Sequence, residues 1–156
     1  MALNIGTKAP DFKSQTDSGE EISLKSLKGK WVVLYFYPKD DTPGCTQEAC
    51  DFRDNYKRIA SLGATVIGVS PDNEKSHDKF KKKFELNFHL LPDPDKEICN
   101  KYEIMGEKSM YGKKYLGVIR TTYIIDTKGI IRYVFPNVSV KGHVQEIIDK
   151  LPELMG

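Results

Sequence analysis

The stretch WVVLYFY, residues 31–37, constrains the fold more than any other part of the chain. Seven apolar residues, rich in β-branched and aromatic side chains, follow one another with no polar residue between them. A half-exposed strand alternates polar with apolar. One that does not must be covered on both faces, which calls for helices on each side of a sheet. ATVIGV, residues 64–69, repeats the pattern. Between the two, Cys45, Ala49, Phe52, Tyr56 and Ile59 recur at helical spacing from Pro43 to about Leu62, and Gly63 is placed to end that helix. Ser70-Pro71-Asp72 opens a second helix through Leu86, with Phe80 and Phe84 on one side and Lys79, Lys81, Lys82 and Lys83 elsewhere. NFHLLPD reads as a short strand ending at Pro92, DPDKEICNKYEI as a short helix, and the following residues to about Gly117 as a glycine-punctuated loop. RTTYIID, TKG and IIRYVF form a strand, a turn and a strand, and VQEIIDKL a closing amphipathic helix. At the amino-terminal side, Thr16-Asp17-Ser18-Gly19 is a turn cluster, and ISLKSLKGK a short strand and helical turn. The order predicts an α/β protein, a central mixed β-sheet flanked by helices, parallel at its centre and antiparallel at one side. At 156 residues without a linker or repeat, the chain is expected to form one domain, 1–156.

Charge narrows the partners. Lys and Arg number 24 against 22 Asp and Glu, a net +2, which supplies no field for nucleic acid or acidic membranes. No run of about 18 apolar residues occurs, and MALNIGTKAPDF lacks the basic and apolar regions of a signal peptide. A cytoplasmic protein is expected. Three cysteines cannot all pair within one chain, and in a reducing compartment a conspicuous pair points to reactivity rather than bracing.

That pair lies in TPGCTQEAC, residues 42–50. Thr42 suits an N-cap, and Pro43 suits the first helical position, where its missing N–H would have lacked a partner. Gly44 follows, and Cys45 falls at the third position, which in a capping box is held by Glu or Gln reaching back to free amides. A sulfur there meets the same donors and the positive end of the helix dipole, so the thiolate is favoured. Such a thiolate with an anion pocket attached suits attack on a polar electrophile such as a peroxide, with sulfenic acid as the product. The plain alternative is a small buried hydrophobe on an apolar stripe. Cys50 weighs against it, because it lies off that stripe, where packing does not account for a cysteine and a resolving thiol does.

Other chemistries fit less well. No C-x-x-C motif is present, and Cys45, Cys50, Cys99, His77, His89 and His143 show no paired metal-ligand spacing, which argues against a dithiol reductase and against zinc. A cysteine–histidine hydrolase would need one of the isolated histidines to fold beside Cys45, and would not need a second thiol. KFKKKF, residues 79–84, reads as a solvated helix side, and Cys99 as a semi-buried structural thiol.

Pro38, Thr42 and Cys45 in PKDDTPGC match the P-x-x-x-T-x-x-C signature of peroxiredoxins, and FYPKDDTPGCTQEAC resembles the Q-type, or bacterioferritin comigratory protein, subfamily. APDF, LPDPDKEICNKYEI, GVIRTTYIID and KGHVQEIIDKL extend the resemblance over nearly the whole chain. It implies a thioredoxin-like fold and a thiol peroxidase for hydrogen peroxide and organic hydroperoxides, working without metal, haem or flavin. Carried over, Cys45 is the peroxidatic cysteine, Cys50 the resolving cysteine, and Pro38, Thr42 and Gly44 shape the pocket. Arg120 matches the arginine set against thiolate and peroxide. Of the four arginines it alone precedes a strand after a long loop, where a charge could reach a pocket. The resemblance further implies thioredoxin as reductant, and resolution within one subunit suits a monomer. The alternative from another class is a thioredoxin-like redox-sensing or binding module that does not turn over.

The implied Cys45–Cys50 pairing carries a geometric demand. Residues five apart in an α-helix have Cα atoms about 8.7 Å apart, whereas a disulfide spans at most about 7 Å. The helix start is therefore expected to unwind on oxidation.

Overall fold

A computed structural model describes residues 2–16 and 19–156; of the expected turn cluster, Asp17 and Ser18 lie outside the described residues. Five strands form the central sheet: β3 (Trp31–Phe36), β4 (Ala64–Ser70), β5 (His89–Pro92), β8 (Thr121–Ile125) and β9 (Ile131–Phe135). Their order is β5-β4-β3-β8-β9, with β3, β4 and β5 parallel and β8 and β9 antiparallel to their neighbours. The mixed sheet expected from the apolar runs is thus present. A small antiparallel pair, β1 (Lys13–Gln15) and β2 (Glu21–Ser23), precedes a 3-10 turn at Lys25–Leu27.

The unbroken apolar run in β3 follows from its two-sided burial. Val33 and Tyr35 enter one core with Ala49, Phe52 and Ile59 of α1 (Pro43–Ser61), Phe80 of α2 (Glu74–Phe84), and Ile147 and Leu151 of α4 (His143–Met155). Val32, Leu34 and Phe36 enter the other, with Phe12, Leu24, Ile98, Tyr102 and Tyr123. Ile98 lies on α3 (Glu97–Lys101). Successive side chains of a strand point to opposite faces, so one run serves both cores.

The sequence-based boundaries shift in two places. α2 starts three residues later than Ser70-Pro71-Asp72 suggests, because the Asn73 side chain caps it by accepting from the Ser76 N–H at 2.8 Å. It ends at Phe84, with Glu85 in the left-handed region, φ 51°. The larger correction concerns the expected loop up to Gly117. It is a hairpin, β6 (Met105–Met110) and β7 (Lys113–Val118), fully paired from Met105↔Val118 to Met110↔Lys113. Its turn residues, Tyr111 and Gly112, both have positive φ, 53° and 77°, as a two-residue hairpin turn requires. Tyr in place of the usual Asn or Asp hides that turn, and a strand pair exposed over most of its length carries no apolar alternation to reveal it.

Candidate active site

Three segments converge on Cys45. Strand β3 delivers the chain to the loop 37–42, the loop hands it to α1, and Arg120 arrives from the residue before β8. Both sides of Arg120 are pinned: the Ile119 N–H donates to the Ile104 carbonyl at 2.8 Å, and the Val138 N–H to the Arg120 carbonyl at 2.8 Å. The guanidinium is thereby held over the first turn of α1. Its Nη2 donates to Cys45 Sγ at 3.0 Å, and its Nη1 to Glu48 Oε1 at 3.1 Å.

Cys45 sits at the third helical position, as its spacing predicts, and is 1 % exposed. The first backbone bond into α1 runs from the Thr46 N–H to the Thr42 carbonyl at 2.8 Å. The amides of Gly44 and Cys45 precede it and have no partner within the helix. The sulfur therefore stands among helix N-terminal donors with a guanidinium beside it, both of which favour an anion.

Thr42 occupies the N-cap position but does not cap: its side chain makes no bond to the helix amides. Its hydroxyl donates instead to the Lys39 carbonyl at 2.9 Å. The hydrogen is committed there, so the lone pairs are what the hydroxyl can offer to a bound group. Pro38, two residues past β3, is half-buried at the start of the same loop. Gly44 has a steric reason. A Cβ on it would lie 2.9 Å from Arg120 Nη2, so the guanidinium crosses the helix where only hydrogen is present.

Cys50 lies in the same unbroken helix, half-buried, and all three cysteines are free thiols. Cys99 is fully buried rather than semi-buried. Its thiol is pushed well above the usual range, by burial first and by Asp93 next. The Asp93 carboxylate also accepts the Ile98 and Cys99 amides, at 3.0 and 2.8 Å, which makes this a braced corner of α3.

Glu48 was not among the sequence candidates. It is 1 % exposed, one helical turn beyond Cys45, and its carboxyl is pushed up to about 7 by burial, against the opposing pull of Arg120. An acidic residue three places after Cys45, directly before Ala49 on the apolar stripe, was the available signal. Cys45 and Glu48 together present two acceptors one turn apart, and the planar fork of Arg120 spans them.

A second group missed by the sequence braces the loop. The Asp40 carboxylate accepts from the Tyr37 hydroxyl at 2.6 Å, from the Ser76 hydroxyl at 2.8 Å, and lies 2.7 Å from His77 Nδ1. The Asp40 N–H donates to Asp72 Oδ2 at 2.8 Å, and His77 Nε2 meets the Leu91 carbonyl at 3.1 Å. Asp40, Asp72 and His77 offer ligand atoms within 4.8 Å of one another, a grouping the linear spacing of Cys and His could not show. Their polar atoms are engaged in this brace between loop, β4, β5 and α2. The hydrolase alternative finds no support in this geometry: His77 bonds Asp40, His143 bonds Thr122 at 2.8 Å, the buried Nδ1 of His89 on β5 has no hydrogen-bond partner, and the partner of Cys45 is Arg120.

A sheet of this order with a buried cysteine at the start of α1, held by an arginine, defines a class: thioredoxin-fold proteins whose chemistry is carried by a thiol. Comparison with known proteins agrees. Residues 5–134 match the AhpC/TSA family. A putative peroxiredoxin, bcp, of Coxiella burnetii is 51 % identical over 151 residues, covering 97 % of this chain and 100 % of that protein. A cysteine-to-serine mutant of PrxQ from Xylella fastidiosa superposes with a TM-score of 0.94 at 32 % identity, covering 100 % and 99 % of the two chains. The bacterioferritin comigratory protein of Xanthomonas campestris, studied for its alkyl peroxide reduction activity, gives 0.89 at 35 % identity, with 98 % of each chain covered. The chain belongs to the AhpC/TSA family, on its peroxiredoxin branch. It is a thiol peroxidase, and peroxides are its substrates. No helix among the described residues is long and apolar enough to cross a membrane.

Proposed function

We propose that Cys45 is the peroxidatic cysteine of a monomeric, cytoplasmic, single-domain peroxidase for hydrogen peroxide and organic hydroperoxides, alkyl hydroperoxides among them, with thioredoxin as its reductant. The Cys45 thiolate attacks one peroxide oxygen, and the O–O bond breaks. Sulfur is oxidised to sulfenic acid, and the departing alkoxide or hydroxide takes up a proton to leave as alcohol or water. Arg120 and the free amides of Gly44 and Cys45 stabilise charge on the reacting oxygens. The lone pairs of Thr42 orient the proton-bearing peroxide oxygen, and Pro38 bounds the pocket. Cys50 then condenses with the sulfenic acid, releasing water and forming the Cys45–Cys50 disulfide. A dithiol returns both thiols by exchange.

The observation that carries this reading is the 3.0 Å bond from Arg120 Nη2 to Cys45 Sγ at the third position of α1. Both cysteines lie in a continuous helix, where their separation exceeds what a disulfide spans, so resolution proceeds through local unwinding of α1. Peroxide consumption coupled to thioredoxin and its reductase tests the assignment. Cys45→Ser should abolish turnover, and Cys50→Ser should consume one equivalent of peroxide and stop at the sulfenic acid. Full thioredoxin-coupled turnover by Cys50→Ser would refute the resolving role.

A further inference from the structure

Five large hydrophobic side chains are exposed among the described residues, and four of them, Met110, Tyr111, Tyr115 and Leu116, sit on the β6–β7 hairpin. They are 56 %, 98 %, 44 % and 65 % exposed. The register puts Met110 and Tyr115 on one face of the ribbon with Tyr111 at its turn, and Leu116, opposite Glu107, on the other face. Grouped apolar side chains such as the first three mark a contact surface where scattered singles would not. The hairpin pairs with no other strand of the described structure, yet it adjoins the active site. Gly106 faces Gly117 across the ladder, and a Cβ on Gly106 would lie 2.7 Å from the side chain of Ile119, the residue before Arg120. The Lys108 and Tyr115 side chains fold back over Gly117, where a Cβ would meet them at 3.0 and 3.1 Å. Burial, and Arg120 after it, hold the Lys108 ammonium below its usual range, while Cys45 pulls it up.

The hairpin is also rooted independently of α1. Ile104 and Val118, at its base, belong to the core on the α3 face of the sheet, whereas Cys45 and Ala49 belong to the core on the other face. Unwinding the first turns of α1 leaves the hairpin anchored. A partner that must engage the disulfide while the helix start is open needs such a fixed platform.

Resting on the reductant reading above, we propose that the apolar tip of this hairpin is the docking surface for an acidic dithiol protein that reduces the Cys45–Cys50 disulfide. Charge and area favour that occupant over a second copy of the chain. Lys108, Lys113 and Lys114 against Glu107 give the hairpin a net +2, so two hairpins meeting face to face would set lysines against lysines. At the exposures given, Met110, Tyr111 and Tyr115 present roughly 400 Å². That falls short of the roughly 800 Å² per partner of a stable complex and suits the smaller contacts of redox encounters.

The test is the combined variant Met110→Ser and Tyr111→Ser, which changes only exposed side chains at the tip of that face. It is assayed in three ways: oxidation by hydrogen peroxide in one turnover, turnover with dithiothreitol, and turnover with thioredoxin. The KM for thioredoxin should rise tenfold or more, with the first two rates within twofold of wild type. An unchanged KM overturns the docking surface and leaves the reductant reading standing. Wild type that turns over with dithiothreitol but not with thioredoxin overturns both. Sedimentation showing a wild-type dimer that the variant splits would assign the surface to a second copy and overturn the proposal.

Discussion

Gly44 and Arg120 approach so closely that a Cβ on Gly44 would stand 2.9 Å from Nη2, the same nitrogen that donates to Cys45 Sγ at 3.0 Å. Contacts under 3.0 Å force a displacement, and here the group displaced is the cation at the sulfur. Gly44→Ala should therefore separate stability from activity. Alanine is favoured over glycine inside a helix by about 0.5–1 kcal/mol, so the variant should fold at least as well as wild type. Its kcat/KM for peroxide should fall about tenfold or more. Stopped-flow oxidation beside a denaturant titration checks both halves, and unchanged peroxide kinetics would contradict the geometry.

Glu48 supplies a pH signature. Its carboxyl is pushed up to about 7 from 4.5 by burial, so the folded state holds a proton that the unfolded chain releases. The stability this contributes is complete below about pH 4.5 and is lost as pH rises through about 7. His143 works with the opposite sign. Burial lowers it from 6.5 to about 4, so its contribution is complete above about pH 6.5 and is lost as pH falls through about 4. Between pH 4.5 and 6.5 the two slopes oppose each other. Glu48→Gln should leave the rising His143 slope uncovered, up to about 3 kcal/mol across that interval. Denaturant midpoints across the same interval read this directly, and a profile parallel to that of wild type would count against a buried, titrating Glu48.

What the sequence revealed and what it hid divide along one line. β3, β4 and α1 were legible because burial on two faces or one face leaves a periodic trace, and Cys45 because a helix start has its own grammar of Thr, Pro and Gly. Arg120 could be placed before a strand, but its partners could not, since Glu48 lies 72 positions away and joins it only in three dimensions. The β6–β7 hairpin was hidden by exposure, which removes alternation, and by Tyr111 in a turn position that usually holds Asn or Asp. The Asp40–His77 brace links residues 37 apart and leaves no local pattern at all.

Cys99 should prove dispensable. It is fully buried in the α3 corner, away from the core that holds Cys45, and its thiol is held protonated by burial and Asp93. Cys99→Ser should retain thioredoxin-coupled turnover within about twofold. Turnover lost while circular dichroism stays native would require Cys99 in the disulfide and withdraw Cys50 from it.

The central claim is that one segment serves two states: a folded helix start that activates Cys45, and an unwound one in which Cys50 reaches it. Amide hydrogen exchange over residues 43–52, followed by mass spectrometry in the reduced and the peroxide-oxidised protein, tests this most directly. The account predicts slow exchange in the reduced state, where α1 runs unbroken from Pro43 to Ser61, and fast exchange after oxidation, with α4 protected in both. Equal protection of residues 43–52 in the two states would contradict it.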